Sequence, residues 1–239
     1  MMMLSPLKFN SNSQYSFKSQ NNVIAFRGEI KSADNPLAIQ DQFISSDSKS
    51  KTVTILGSSR DADSIKGSVA KAFDIARTLV NRGYNVLTGC GDKGIMGAAY
   101  KGASSAEKDP EAPEHNLAVL VNPLWGDEDT KHCKVISKAA ASEADRIENG
   151  FLKASNSFLV FPGGACSIQE ASTLIAKNKY RPKNAPPLKI MLVGKDYYRG
   201  LKQQYEDMEK AGILGGKAED LFTVVDPEDV LKEFPDLQH

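Results

Sequence analysis

The chain has 239 residues, of which 41% are hydrophobic and 25% charged, so it can bury a full core. Its 30 basic and 30 acidic residues give a formal net charge of zero, which argues against nucleic acid or an anionic membrane surface as a partner. No apolar run approaches the roughly 18 residues of a membrane span, and the first residues show no signal-peptide pattern. The three cysteines are scattered, which fits free thiols in a reducing compartment. We therefore expect a cytoplasmic protein.

The sequence changes character near residue 50. Residues 1–50 are rich in Ser, Asn and Gln, a composition that buries too little apolar surface to offset the entropy of ordering. We predict that this segment is flexible, with a peripheral strand possible at 22–30, and that residues 51–239 form one nucleotide-binding α/β domain.

From residue 51 onward, short apolar runs alternate with segments of helical periodicity. The patterns predict strands at 52–57, 83–89, 116–122, 157–164, 188–194 and 221–225. They predict helices at 66–82, 94–106, 143–154, 167–179, 197–211 and 227–233, with a long loop before residue 143. This alternation indicates a doubly wound, Rossmann-like sheet of about six to seven mostly parallel strands, with helices on both faces.

Three of the predicted strands end in unusual glycine-containing turns: "GSSR" at 57–60, "GCGDKGIMG" at 89–97 and "PGGACS" at 162–167. Glycine lets a ligand approach the backbone, and the helix N-terminus that follows favours an anion. Ligands of such sheets bind beyond the carboxyl ends of the strands. We therefore expect a nucleotide-sized anionic ligand, although glycine also occurs in such turns for geometry alone.

Two common nucleotide-binding motifs do not fit. The Gly-x-Gly-x-x-Gly match at 89–94 follows the second strand rather than the first, and no P-loop motif occurs. His115, His132 and His239 have no ligand spacing with the cysteines, so we expect no metal.

In "PGGACSIQE", Ser167 and Glu170 have the spacing of a capping box, in which Ser167 caps the helix. The alternative is that Glu170 is a carboxylate of the anion site.

The segments "TGCGDKGIMGAAYKGA" and "FLVFPGGACSIQE" resemble the two signatures of the LONELY GUY (LOG) family, and "DRIENGFLKASNSFLVFPGG" is most similar to its bacterial nucleotide 5′-monophosphate nucleosidases. The resemblance implies hydrolysis of a nucleoside 5′-monophosphate to free base and ribose 5-phosphate, without a cofactor, by a homodimer. The alternative is a non-catalytic carrier of the same fold that binds a nucleotide or a molybdenum-type cofactor.

The resemblance also implies roles for individual residues. Glu170 falls on the family's catalytic carboxylate and Arg146 on its catalytic arginine. The residues implied in phosphate and ribose binding come from the three turns: Gly57, Ser58, Gly89, Gly91, Gly94, Met96, Gly163, Gly164 and Ser167.

The chain departs from the family pattern at two points. Cys166 replaces a glycine, which puts a side chain where the family allows close approach or a positive φ. Arg146 lies one residue farther from the Pro-Gly-Gly turn than usual, with Gly150 as the expected insertion. We predict that a one-residue π-bulge absorbs it; otherwise Ile147 takes the place of the arginine.

Overall fold

The structure is a computed structural model that describes residues 39, 41–121, 128–139 and 142–237. The strand predicted at 22–30 lies outside these residues. Two short helices, α1 (Asp41–Ile44) and α2 (Ser46–Ser50), precede the sheet, and Ile39 and Phe43 are buried in the core. The division of the chain at residue 50 stays a prediction.

A seven-stranded parallel sheet forms the centre of the described residues. Its strands are β1 (Thr52–Leu56), β2 (Asn85–Thr88), β3 (Asn116–Val121), β4 (Lys134–Ala139), β5 (Ser157–Val160), β6 (Lys189–Val193) and β7 (Thr223–Val225). The order across the sheet is β4-β3-β2-β1-β5-β6-β7, and every neighbouring pair is parallel. The predicted doubly wound α/β class is therefore confirmed.

Strand β4 lies in the segment that the sequence analysis assigned to a long loop. It is an edge strand that pairs only with β3, and its Lys134 and Lys138 are exposed whereas Ile136 is buried. Edge strands often carry lysine, which discourages pairing with other chains. The continuous apolar run that marks a central parallel strand is therefore missing here.

Helices cover both faces of the sheet. The longer ones are α3 (Lys66–Asn81), α4 (Gly94–Ser104), α7 (Ala165–Lys179) and α8 (Lys195–Lys210). Between β4 and β5, α5 (Glu143–Asp145), a π-helix (Arg146–Phe151) and α6 (Leu152–Ala154) form one continuous helical segment. Helix α9 (Pro227–Val230) lies near the end of the chain, and short 3-10 turns occupy Asp63–Ile65, Ala218–Asp220 and Leu231–Glu233.

Alternate residues of each strand enter different halves of the core. In β6, Ile190 and Leu192 pack with α7, α8 and the helical segment before β5, whereas Met191 and Val193 pack with α3, α4 and α9. Side chains of a strand point alternately to its two faces, so the two clusters are the two faces of the sheet. No helix in the described part of the chain is both long enough and apolar enough to cross a membrane.

The strand order reverses direction between β1 and β5. From β1 the chain proceeds through β2 and β3 to one edge, and from β5 it proceeds through β6 and β7 to the other. Such a reversal opens a crevice at the carboxyl ends of the two central strands, where ligands of open α/β sheets bind. The turns after β1, β2 and β5, singled out for their glycines, lie at this point.

Candidate functional site

A cavity of about 380 Å³ opens at the carboxyl ends of β1, β2 and β5. All predicted site residues except Gly94 and Gly163 line it: Gly57, Ser58, Gly89, Gly91, Met96, Arg146, Gly164, Ser167 and Glu170. The fold thus brings the three glycine turns and the helical segment around Arg146, which are distant in the sequence, to one crevice.

Gly94 and Gly163 do not line the cavity but pack against residues that do; a Cβ on Gly163 would clash with the Ser167 hydroxyl and the Ser58 N–H. Gly94 has a φ of 59° and packs against the backbone of the first turn, where a Cβ would clash with the carbonyl oxygen of Ser58. The Ile95 N–H donates to this same carbonyl at 2.7 Å, and the Gly94 N–H donates to Asp61 Oδ1 at 3.0 Å. These bonds join the turn after β1 to the start of α4, so the two turns form one wall.

The turn after β5 leads directly into α7. Gly164, Ala165, Cys166 and Ser167 line the cavity with the first turn of this 15-residue helix. The first N–H groups of an α-helix have no partner within the helix and carry partial positive charge. The arrangement therefore suits an anion such as a phosphate group.

Two tyrosines of α8 hold the turn after β5 in place. The Tyr198 hydroxyl donates to the carbonyl of Phe161 at 2.8 Å, and the Tyr197 hydroxyl donates to that of Gly163. Tyr198 is completely buried. Because both hydroxyls donate to backbone carbonyls, the two hydrogen bonds fix the path of the turn.

The capping-box interpretation of Ser167 and Glu170 is wrong. Helix α7 begins at Ala165 with Gly164 as its N-cap, and no side chain caps it. Ser167 therefore lies within the first turn, and its hydroxyl packs against Gly163. Glu170 lies almost a full turn farther along, where it faces Arg146 instead of the helix end.

Arg146 reaches the cavity because the helix around it is widened. Arg146–Phe151 form a π-helix, which confirms the predicted accommodation of the extra residue. Gly150 packs so tightly against Val119 of β3 that a Cβ would clash with its side chain. Ile147 and Phe151 enter the core, so Arg146 keeps its position at the cavity.

Arg146 lies between two carboxylates. Its Nη2 is 2.8 Å from both Glu143 oxygens and its Nε is 3.2 Å from Glu143 Oε2, whereas Glu170 Oε1 is 3.6 Å from Nη2. The three side chains are 5%, 12% and 5% exposed for Arg146, Glu143 and Glu170 respectively. The guanidinium is thus held firmly by Glu143 and contacts Glu170 more loosely.

Gly89 provides the space that Arg146 needs. A Cβ on Gly89 would lie 2.7 Å from Arg146 Nη1 and 3.3 Å from the sulfur of Met96. The turn after β2 therefore receives one end of the guanidinium group, and the other end faces the carboxylates.

Burial raises the pKa of Glu170 from its ordinary value of 4.5 to about 7. The positive charge of Arg146 lowers this pKa, and the negative charge of Glu143 raises it. The carboxyl group therefore titrates near neutrality, as carboxyl groups that serve in acid–base chemistry often do.

The replacement of glycine by Cys166 does not strain the turn. Cys166 lies in the first turn of α7 with its side chain exposed, and among the described non-glycine residues only Cys90 has a positive φ, of 55°. Of the two features that a glycine allows at this position, close approach and a positive φ, the second does not apply to Cys166. Cys90, which lies between Gly89 and Gly91 in the sequence, is buried, and its sulfur lies 2.6 Å from that of Cys133.

Sequence reasoning missed several residues that line the cavity: Ser59, Arg60, Glu128, Glu143 and Ala165. Of these, Glu143 has a signal in the sequence, because a carboxylate three residues before an arginine in a helix can pair with it. Glu128 comes close through a single antiparallel bridge to Gly91, a long-range pairing that no local pattern predicts.

Comparison with known proteins places the chain in a family. The model of a family described as "possible lysine decarboxylase" matches residues 96–234, more than half of the chain. The chain belongs to this family, the LOG family. The match includes the third glycine turn together with Arg146 and Glu170, and it begins at Met96, near the end of the second turn.

Individual relatives of this LOG-family chain are distant. A probable cytokinin riboside 5′-monophosphate phosphoribohydrolase of Oryza sativa subsp. japonica is 24% identical over 157 residues, which cover 66% of the chain and 64% of the relative. The matched region therefore spans somewhat less than two thirds of that relative. A molybdenum cofactor binding protein from Rippkaea orientalis has a similar fold, with a TM-score of 0.51 and 16% identity over 77% of the chain and 94% of that protein.

Proposed function

We propose that this LOG-family chain hydrolyses the N-glycosidic bond of nucleoside 5′-monophosphates, releasing the free base and ribose 5-phosphate. The observation that carries the proposal is the buried pair of Glu170 and Arg146 in a cavity formed by three glycine-containing turns. Phosphoribohydrolase activity in the name of the rice relative supports the same reaction class.

Each part of the cavity has a role in this reaction. The first turn of α7 with Gly164 and Ser167 would bind the 5′-phosphate, which does not react but orients the ribose. Cleavage of a glycosidic bond passes through an oxocarbenium-like ribose, whose positive charge the ionised Glu170 would stabilise while it directs a water molecule. Arg146 would hold oxygen atoms of the ribose or phosphate by charged hydrogen bonds.

The test is incubation of the full chain with a panel of purine and pyrimidine nucleoside monophosphates, with released base and ribose 5-phosphate measured by chromatography. We expect base release by the unaltered protein, and none by Glu170→Gln, which should still bind the nucleotide in calorimetry. Glu148→Gln is the matched control, since Glu148 forms an exposed pair with Lys177 at 3.0 Å. Near-normal turnover by Glu170→Gln would contradict the proposed role of Glu170.

Recognition of the phosphate is tested with the same assay. Nucleosides that lack the 5′-phosphate should be poor substrates, and inorganic phosphate should compete with the nucleotide, because the helix N-terminus supplies a large share of the binding. Equal cleavage of adenosine and its monophosphate would contradict this assignment.

The second candidate is a binding protein without turnover. The fold similarity to the molybdenum cofactor binding protein of Rippkaea orientalis favours it, and the retained Glu170–Arg146 pair opposes it. Tight binding of nucleotides or of a phosphorylated pterin by the unaltered chain, with no base released from any nucleotide, is the result that this candidate predicts.

A further inference from the structure

Glu143 is the strongest partner of Arg146, and no role of the proposed reaction uses it. Its two oxygens contact Nε and Nη2 of the guanidinium at 2.8–3.2 Å. It lies at the start of α5, where the Ser142 hydroxyl caps the helix by accepting from the Asp145 N–H at 3.1 Å. Its position is therefore set by the helix start as well as by the ion pair.

We propose that Glu143 is a positioning residue, which holds the Arg146 guanidinium between Gly89 and Glu170 and offsets enough of its charge to keep the Glu170 carboxyl group available for chemistry. The proposal rests on the proposed function, because it assigns to Glu143 the control of the two residues that would act on the nucleotide.

The geometry explains why a second carboxylate is needed. A buried guanidinium that faced only Glu170 would draw that carboxylate into a tight pair, since Coulomb attraction is strong away from water. In the structure Glu143 takes Nε and the shorter contacts to Nη2, and Glu170 remains 3.6 Å from Nη2. Glu143 thus competes with Glu170 for the same nitrogen.

The charged and titratable groups around Glu170 come from several elements. Arg146 lies on the π-helix and Glu143 on α5; Tyr198 faces Glu170 from α8, and Cys166 precedes it on α7. Arg60 and Glu128 line the same cavity. Arg146 and Glu143 act on the Glu170 carboxyl with opposite sign, Arg146 lowering its pKa and Glu143 raising it, which agrees with the proposed competition.

The decisive variant is Glu143→Gln, which keeps the size of the side chain and removes its charge. Arg146 should then pair more closely with Glu170, and the pH at which kcat reaches half its maximum should fall by about one unit. We expect kcat at the optimum to fall at least tenfold and KM to change less, since Gly164 and Ser167 at the start of α7 are unaltered and only the contact from Arg146 is displaced. Glu148→Gln, which removes an exposed carboxylate from the same helical segment, should leave the pH profile unchanged.

A role of Glu143 in folding alone would lower activity at every pH without moving the midpoint, and that result would overturn the proposal. Glu143→Asp is the second variant, because it keeps the charge and shortens the reach. It should retain the normal midpoint and recover part of kcat, and its melting temperature shows whether the site still folds. A midpoint displaced as far as in Glu143→Gln would also contradict the proposal.

A direct titration keeps this proposal separate from the proposed function. In protein labelled with ¹³C at glutamate carboxyl carbons, the Glu170 signal is assigned by its absence in Glu170→Gln and followed against pH. A lower midpoint in Glu143→Gln supports the competition for Arg146 even if no nucleotide is hydrolysed. An unchanged or higher midpoint overturns it even if hydrolysis is found.

Discussion

Glu170 makes the stability of this protein depend on pH, and one substitution should remove its contribution. Its pKa is raised from 4.5 to about 7 in the folded chain, chiefly by burial. The folded state therefore holds this proton more tightly than the unfolded state does. Stability is lost as pH rises from about 4.5 to about 7, because the unfolded chain ionises Glu170 before the folded chain does.

The size of the effect follows from the shift. A difference of about 2.5 pKa units, at about 1.4 kcal/mol per unit, corresponds to about 3 kcal/mol when both states are fully titrated. Between about pH 5 and about pH 8 the free energy of unfolding loses most of this contribution, about 2–3 kcal/mol. Glu170→Gln cannot ionise, so its free energy of unfolding should gain that amount over the unaltered protein across the same range.

The assay is urea unfolding of both proteins at several pH values, followed by circular dichroism. Glu148→Gln is again the control, and as an exposed substitution it should change the free energy by less than about 0.5 kcal/mol at each pH. If the free energies of Glu170→Gln and the unaltered protein run parallel between about pH 5 and about pH 8, Glu170 is ionised throughout and the reasoning from burial is refuted.

Three further variants, two substitutions and one deletion, test the placement of the site. Gly89→Ala should reduce base release at least tenfold and lower the free energy of unfolding by roughly 1–3 kcal/mol, because its Cβ would lie 2.7 Å from Nη1 of a guanidinium that Glu143 holds firmly; equal activity would contradict the assigned space. Deletion of Gly150 should also abolish base release in this assay, because it removes one residue of the π-helix and so turns Arg146 away from the cavity; normal release would contradict the assigned role of the π-helix. Cys166→Gly should leave nucleotide binding unchanged in calorimetry and lower the free energy of unfolding by about 0.5 kcal/mol, whereas tighter binding would mean that Cys166 obstructs the turn.

The sequence was sufficient to predict the class of fold because each central strand is buried on both faces. The apolar runs of β1, β3, β5 and β6 follow directly from this burial. Edge strand β4 carries exposed lysines and has no such run, so only its pairing with β3 reveals it. An edge strand without an apolar run, such as β4, is found from its pairing rather than from local pattern.

The same limit applies to the site. The glycine turns could be placed together because parallel strands end at one edge of the sheet, and the spacing of Arg146 led to the predicted π-bulge. The start of α7 could not be predicted, since the spacing of Ser167 and Glu170 fits a capping box as well as an anion site. Only the backbone shows that the helix begins two residues earlier, at Ala165.

The position of Arg146 is determined by helical phase rather than by its distance along the chain from the Pro-Gly-Gly turn. At one end of the helical segment, Ser142 caps α5; at the other, the Ser155 hydroxyl donates to the carbonyl of Thr52 at 2.8 Å. With both ends fixed, one extra residue in an α-helix would turn the side chains before it by about 100°. The π-helix takes up that residue within Arg146–Phe151, so the arginine faces Glu170 although its place in the sequence has shifted. The departure from the family spacing therefore does not count against the proposed function, because Arg146 still lines the cavity and faces Glu170.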